Sequence, residues 1–334
     1  EEKSEINLGF EFANDRFGAN LDLFTRDIKD FMILANVESS EFDGFNQRCE
    51  NSGTLNVKGI ELSANYDLIQ KTKLNYNTGI IFTHNKNILE KNPQGDQVLG
   101  NLGSPGQNNT FVIRVKEGEE VGQIWGPVWS GNVDSAGTPI LSDINGDGVV
   151  NAGQGSALAE DGDFAILGTG LPDFELGWTN QISYGNWDAN FFFRAVVGHS
   201  LVNSFRSFYE PIIGSQASYN FVNTANANPA IKTAQFSSYY VEKADFLRLD
   251  NMSVGYNFDL KDESYIKSLR INLAAQNLFT ITGYDGVDPD PALQDGGDIG
   301  NLQSGQPNVL IPGIERREAY FTSTTISLGL NINF

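Results

Sequence analysis

The 334-residue chain is 40% hydrophobic and 19% charged, the balance of a folded protein rather than a disordered one. Its formal net charge of -20 excludes a phosphate backbone as partner, because binding one needs a basic surface to displace counterions, so no nucleic acid is expected. The single cysteine, Cys49, rules out an intrachain disulfide and a CxxC zinc site, and two distant histidines, His84 and His199, leave a nucleophilic triad little to be built from.

The chain opens "EEKSEINLGF", with neither a basic nor an apolar leader region, so no signal peptide is expected in it. Alternation of period two starts at once, with Ile6, Leu8, Phe10 and Phe12 on one face and, after "ANDR", Phe17, Ala19, Leu21 and Leu23. A second hairpin is expected from Ile60, Leu62, Ala64, Tyr66 and Leu68 through "IQKT" to Leu74, Tyr76, Ile80 and Phe82. "NTFVIRV" and "VGQIWGPVW" flank the turn "KEGE" as a third. Phe174, Leu176, Trp178, Ile182 and Tyr184 pair through "YGN" with Trp187, Ala189, Phe191, Phe193 and Ala195. Met252, Val254, Tyr256 and Phe258 lead through "DLKDESYIKS" to Leu269, Ile271, Leu273 and Ala275. The last strand, "TTISLGLNINF", stands alone and runs apolar at Ile326, Leu328, Leu330, Ile332 and Phe334.

These segments predict about eleven strands and an all-β chain. Connections inside hairpins are short, while those between hairpins are long and rich in Gly, Asn, Asp and Pro. Soluble sandwiches keep most connections to a few residues, whereas outer-membrane barrels alternate short turns with long loops. Tyr184 with Trp187, and Tyr256 with Phe258, sit beside the short turns, where a membrane interface favours aromatics. No run reaches the ~18 apolar residues of a spanning helix, since even "FFFRAVV" is broken by Arg194.

"NSGTLNVKGIELSANYDL", "DINGDG" with "LGTGLPDFELGWTN", "ADFLRLDNMSVGYNF", "RINLAAQNLFTITGYDGVDPD" and "YFTSTTISLGLNINF" follow one another in an order that resembles the C-terminal half of the SusC/RagA family of TonB-dependent outer-membrane transporters. The resemblance implies an antiparallel transmembrane β-barrel, of which residues 1–334 are the C-terminal part, with the plug domain and the N-terminal strands outside this sequence. It implies an integral outer-membrane location with a periplasmic C-terminus. It further implies import of an oligosaccharide or peptide, a SusD-like surface lipoprotein as partner, and energy from the TonB system through the plug. Phe334 then corresponds to the terminal aromatic that the barrel-assembly machinery recognises, and Ile326, Leu328, Leu330 and Ile332 face outer-membrane lipid. No catalysis is expected. Substrate-facing candidates are Tyr209, Tyr239, Tyr240 and Tyr284, whose rings could stack on sugars or cover peptide side chains.

"DINGDGVVN" places Asp143, Asn145 and Asp147 at alternate positions before Gly148, the first half of a calcium loop that the carbonyl of Val149 and the side chain of Asn151 would continue. The twelfth position is Gln154 instead of a carboxylate, with Glu160, Asp161 and Asp163 nearby in "EDGD". No cofactor is required, and calcium is the single candidate ion; an Asx-rich turn held by its own side chains is the alternative. "DPDP" at Asp288 to Pro291 reads as two rigid turns and not as a catalytic dyad. Cys49 is expected as a loop thiol, and each histidine as a polar residue where a strand enters a loop. A barrel that serves as scaffold or adhesin without transport is the competing reading.

Overall fold

The computed structural model describes residues 1–36, 47–103, 107, 109–211, 222, 224–260, 265–291, 310–317 and 322–334. In chain order the strands are β1 (Glu2–Ala13), β2 (Phe17–Asn36), β3 (Gln47–Gln70), β4 (Leu74–Lys91), β5 (Gln97–Asn101), β6 (Phe111–Val115), β7 (Gln123–Gly126), β8 (Trp129–Val133) and β9 (Pro139–Leu141). They continue as β10 (Ala165–Thr169), β11 (Phe174–Tyr184), β12 (Trp187–Val197), β13 (Ser200–Asn203), β14 (Val241–Lys243), β15 (Phe246–Phe258), β16 (Ser268–Thr282), β17 (Ile314–Glu315) and β18 (Thr325–Asn333), with one short helix, α1 (Ser204–Tyr209), after β13.

Nine strands make one wall in the order β1-β2-β3-β4-β11-β12-β15-β16-β18, every adjacent pair antiparallel. The alternation dictates its two faces. Phe10, Leu21, Leu62, Phe82 and Leu176 lie opposite one another across five strands, and Val254, Leu273 and Leu328 across three more. On the other face Asp67, Asn77, Gln181, Asn190 and Ser253 form a polar row in the same way. The apolar face is bare: Ile6 is 74% exposed and Leu328 78%. Each such side chain left in water forgoes ~1.5–3 kcal/mol, so a face this large asks for hydrocarbon.

The apolar band has visible limits. At the short-turn end Phe12 meets Phe17, Phe17 meets Tyr66, Trp187 meets Tyr256 and Tyr256 meets Phe258, with ring centroids 4.8–6.4 Å apart. At the other end the same face turns polar beyond Leu23, Ile60 and Phe82, where Thr25, Lys58 and His84 follow. Strands β2, β3 and β4 have 20, 24 and 18 residues. A tilted spanning strand needs only about 9–11, so these three project past the band. Bulges at Asp30 and Asn277, both with positive φ of 54° and 50°, adjust the register of β2 and β16; Asp and Asn bear that conformation at low cost. One polar patch interrupts the apolar face. Asn180 Oδ1 accepts from the Tyr76 hydroxyl at 2.7 Å, and Trp178 Nε1 donates to Thr78 at 2.9 Å.

The expected eleven strands become nine in the wall, because the "KEGE" hairpin is not part of it. β6 and β7 do pair, but within a separate four-stranded sheet ordered β10-β7-β6-β5. The reason is local: Val112, Ile113 and Val115 are all buried, so β6 needs cover on both faces, which a wall strand between lipid and lumen does not have. Val115 and Val121 pack with Phe31 and Leu89 and against Ile28 and Leu55. Ile28 and Leu55 pair with each other on the face opposite the apolar band. The loops at the long-loop end therefore fold as a second layer over the polar side of the wall. A second cluster, with Ile113, Ile124, Val202, Phe236 and Ile311 among its members, is the core of that layer. Cys49, expected in a loop, lies in β3 opposite Leu34, and His84 lies inside β4 instead of at a strand end.

Candidate functional site

The second layer is tied to the wall by buried charge. Asn203 caps α1 by accepting from the Arg206 N–H at 2.9 Å, which aims the Arg206 side chain inward. Its guanidinium binds Glu210, one helical turn on, at 2.5 Å and Glu242 of β14 at 2.6 Å. Burial lowers the pKa of Arg206, but the bonds to Glu210 and Glu242 outweigh it, and the net shift is upward. Glu242 also accepts from Asn203 at 3.1 Å and from the Asp285 N–H at 3.0 Å. One cation thus joins three loop segments.

"DPDP" does the same on the wall. Arg248 of β15 donates to Asp288 at 2.6 Å, and Arg194 of β12 donates to Asp290 at 2.6 Å and to Asp250 at 2.8 Å. The Phe246 ring lies between the two guanidiniums, 5.1 and 5.0 Å from them. Glu315 of β17 is fully buried, accepting from the Asp288 N–H at 2.6 Å and the Tyr284 hydroxyl at 2.7 Å. Burial raises its pKa against the lowering effect of those donors. His199, between β12 and β13, donates from Nε2 to the Pro289 carbonyl at 2.8 Å. The carboxylates of "DPDP" are committed to wall arginines.

Beside this network a cavity of about 440 Å³ is lined by Arg206, Asn226, Tyr239, Glu242, Lys243 and Asp245. Of the four tyrosines singled out in the sequence, Tyr239 lines it. The Tyr239 hydroxyl donates to the Asn226 carbonyl at 2.6 Å and accepts from the Asn228 N–H at 3.0 Å, and Arg206 lies 5.2 Å from its ring. Burial, then the neighbouring Glu210, raises the pKa of that hydroxyl. Tyr240 is fully buried and Tyr284 is 6% exposed, so neither offers a ring face to a ligand in this structure. Tyr209, half-buried, packs on Phe205 and Phe208. The four do not form one surface. Arg206, Glu242 and Glu315 escaped the sequence reading; only the four-residue spacing of Arg206 and Glu210 hinted at a helical ion pair.

The "DINGDG" segment is a closed loop. Asp143 accepts from Gly146 N at 2.6 Å and Gly148 N at 2.8 Å, Asn145 from Asp147 N at 2.9 Å, and Asp147 from Val149 N at 2.8 Å. The organising group is Asp163, fully buried, whose carboxylate takes the N–H groups of Ile144, Asn145 and Asn151 at 2.6, 3.2 and 2.7 Å. The bonds from Asn151 and Ile144 hold its pKa below the ordinary carboxylate value. Gln154 faces away, accepting from Phe111 N at 3.0 Å. Among the described residues no three His, Cys, Asp or Glu side chains converge as a metal site.

A bare apolar band closed by aromatics, a polar inner row and loops gathered at one end describe one piece of a large membrane barrel. The family described as TonB dependent receptor-like, beta-barrel matches residues 1–278. The chain belongs to that family. It is 29% identical over 359 aligned positions to TonB-dependent receptor P3 of Formosa agariphila, with all of this chain covering 34% of that protein. It is 28% identical to TonB-dependent receptor SusC of Bacteroides thetaiotaomicron, with 85% of the chain covering 29% of that protein. The solved RagAB peptide transporter superimposes with a TM-score of 0.70 at 18% identity, over 99% of this chain and 35% of that one. The chain therefore spans about a third of the relatives it matches, and the SusC/RagA resemblance drawn from its motifs holds. No described helix is long and apolar enough to cross a membrane, which says nothing of a wall that crosses with strands.

Proposed function

We propose that this chain is part of the wall and outer loop layer of an outer-membrane importer that takes up an oligosaccharide or a peptide. A SusD-like lipoprotein captures substrate outside, and the TonB system drives passage through a plug that other parts of the protein supply. The supporting observation is that the long connections on the described wall share one end and fold over its polar side, while the opposite end is closed by short aromatic-rich turns. A loop layer over the lumen is where substrate is met; a wall alone would leave the pore open. In this reading the short turns and Phe334 are periplasmic, and no chemistry is done.

The test is uptake by intact cells carrying the full-length protein, with labelled oligosaccharides and peptides offered in parallel. Uptake that needs both the protein and an energised TonB system supports transport, whereas a protein that binds surfaces but accumulates nothing supports the scaffold reading. Tyr239 and Tyr209 carry the substrate contact; Tyr239→Ala is expected to weaken uptake at low substrate about tenfold, the loss of ~1–2 kcal/mol of stacking and hydrogen bonding. Phe334→Ser should cut the amount of folded barrel in the membrane by blocking recognition during assembly. Calcium at Asp143, Asn145 and Asp147, with Val149 and Asn151, is tested by calorimetry on the full chain. Absence of binding at millimolar calcium leaves the loop as a self-bonded Asx turn.

A further inference from the structure

On the outer face of the wall the apolar band ends at a pair of cations. Lys58 of β3 stands directly opposite Lys86 of β4, with Thr25 of β2 on its other side, one row beyond Ile60 and His84. Both lysines are exposed. His84 donates from Nδ1 to the Asp173 carbonyl, and beneath it Phe82 packs on Phe174 with ring centroids 5.6 Å apart. The depth of these residues follows from their place along β4, because Leu74 shares a row with Tyr184 at the short-turn end. At ~3.3 Å per residue and ~45° of tilt, His84 stands about 23 Å from that row along the bilayer normal and Lys86 about 28 Å. An outward apolar band is ~25 Å tall, so its far edge falls between the two.

Like charges directly opposite on a sheet are destabilising. Among the described residues the wall has one other cross-strand pair of cations, Arg194 opposite Arg248 on the polar face, and there the protein supplies the anions, Asp250, Asp288 and Asp290. The outer pair is not served in this way. Among the described residues no carboxylate lies within ion-pair distance of Lys58, and the Lys86 ammonium is 3.7 Å from Glu120, an exposed contact worth little. Asp27, in the next row outward, is engaged by Asn56 Nδ2 at 2.5 Å. An anion that the described protein does not provide would relieve the pair.

We infer that Lys58 and Lys86 form a binding site for the anionic phosphate of a lipid headgroup, with the acyl chains lying on Leu62 and Phe82 beneath. Position decides the occupant. β2, β3 and β4 are interior strands of the wall, between β1 and β11, and further strands of a closed barrel join only at β1 and β18. The rest of the protein therefore continues the wall or fills the lumen, and this face meets the membrane. At the edge of the hydrocarbon the anion within reach is a headgroup phosphate, and lysine stems lie along apolar surface while their ammonium groups stay at that level. The net charge of -20 does not oppose this, because exposed charges farther than ~10 Å are largely screened at ~0.1 M salt. The orientation proposed above makes the leaflet the outer one; the site itself does not depend on transport.

The experiment titrates the full-length barrel in detergent with dioleoyl phosphatidic acid and, separately, with dioleoyl phosphatidylcholine, and reads retained lipid by native mass spectrometry. The wild type is expected to hold phosphatidic acid at least fivefold more tightly than phosphatidylcholine. The double variant Lys58→Gln, Lys86→Gln should bring the two lipids within twofold of each other, and Lys58→Arg with Lys86→Arg should keep the preference. Both positions are exposed, so neither change strains the fold. Lys71→Gln with Lys73→Gln, in the short turn between β3 and β4, is the control and should leave the preference intact. A wild type without preference overturns the site, as does a Gln variant at 58 and 86 that keeps it. Equal loss in the control variant would reduce the effect to general charge and overturn the site too. Displacement of the lipid by millimolar inorganic phosphate would make the ligand a free phosphate and overturn the lipid assignment. Failure of uptake in cells would refute transport and leave these outcomes untouched.

Discussion

A single carboxylate can hold a loop together when it is surrounded by amides instead of water, and Asp163 shows how. Its bonds from Asn151 and Ile144 set its pKa below the usual 3.8, so the folded loop releases this proton more readily than the unfolded chain does. The stabilisation is therefore complete above about pH 4 and is lost as pH falls through the lowered value. Protection of the amides over 143–151, taken relative to their intrinsic exchange rate at each pH, should hold at pH 4 and fall below it. Asp163→Asn, which loses the charge and one acceptor, should lower that protection severalfold at neutral pH and converge on the wild type as Asp163 becomes protonated; equal protection at neutral pH would refute the assignment. Arg248 is the corresponding cation on the wall. With side chains 6% and 9% exposed, Arg248 and Asp288 form a pair whose disruption strands a carboxylate. Arg248→Ala should cost ~3–5 kcal/mol locally, read as protease cutting between Gly283 and Pro291.

Two elements of the loop layer meet backbone to backbone at a pair of glycines. Gly170, just after β10, and Gly313, just before β17, cross backbone to backbone: a Cβ on Gly170 would lie 2.4 Å from the Pro312 carbonyl oxygen and 2.5 Å from the Gly313 Cα. Backbone cannot swing aside as a side chain can. Gly170→Ala should therefore destabilise the layer by ~1–3 kcal/mol and loosen β17 from β13, while the wall strands keep their protection from exchange. Gly255→Ala provides the contrast. Its Cβ would strike only the end of the Arg270 side chain, which reaches across β15 to Asp188. That pair should part with little loss of stability, because both side chains are about a third exposed.

For the whole molecule, the two faces of one strand make the sharpest test of a membrane wall. Leu328 stands in the apolar band opposite Leu273, and Ser327 stands on the polar face opposite Ala274. In the full-length barrel, Leu328→Arg should cost ~2–4 kcal/mol near the bilayer centre and Ser327→Arg much less, measured by equilibrium unfolding from lipid vesicles. Equal costs at the two positions would contradict the assignment of faces. The same organisation separates the tasks of the protein. The wall is built for hydrocarbon and pairing, and the layer at one end holds the buried charge and the cavity.

The sequence by itself determined the nine strands of the wall, although its alternation also counted the "KEGE" hairpin among them. Period-two alternation is a local property, each strand declares its own apolar face, and turn length declares which end it serves; the register of Phe10, Leu21 and Leu62 follows from it. "DPDP" was legible as rigid turns for the same reason, since proline constrains its own backbone. What only the tertiary structure decided was the second layer. β6 alternates little because both its faces are covered, and no local signal says what covers it. Arg206 meets Glu242, Asp288 meets Arg248, and Tyr284 meets Glu315 across 31 to 40 residues of chain, so their partnership exists only after folding. Four tyrosines looked alike in sequence; burial divided them, because exposure depends on what packs above a ring and not on its neighbours in the chain.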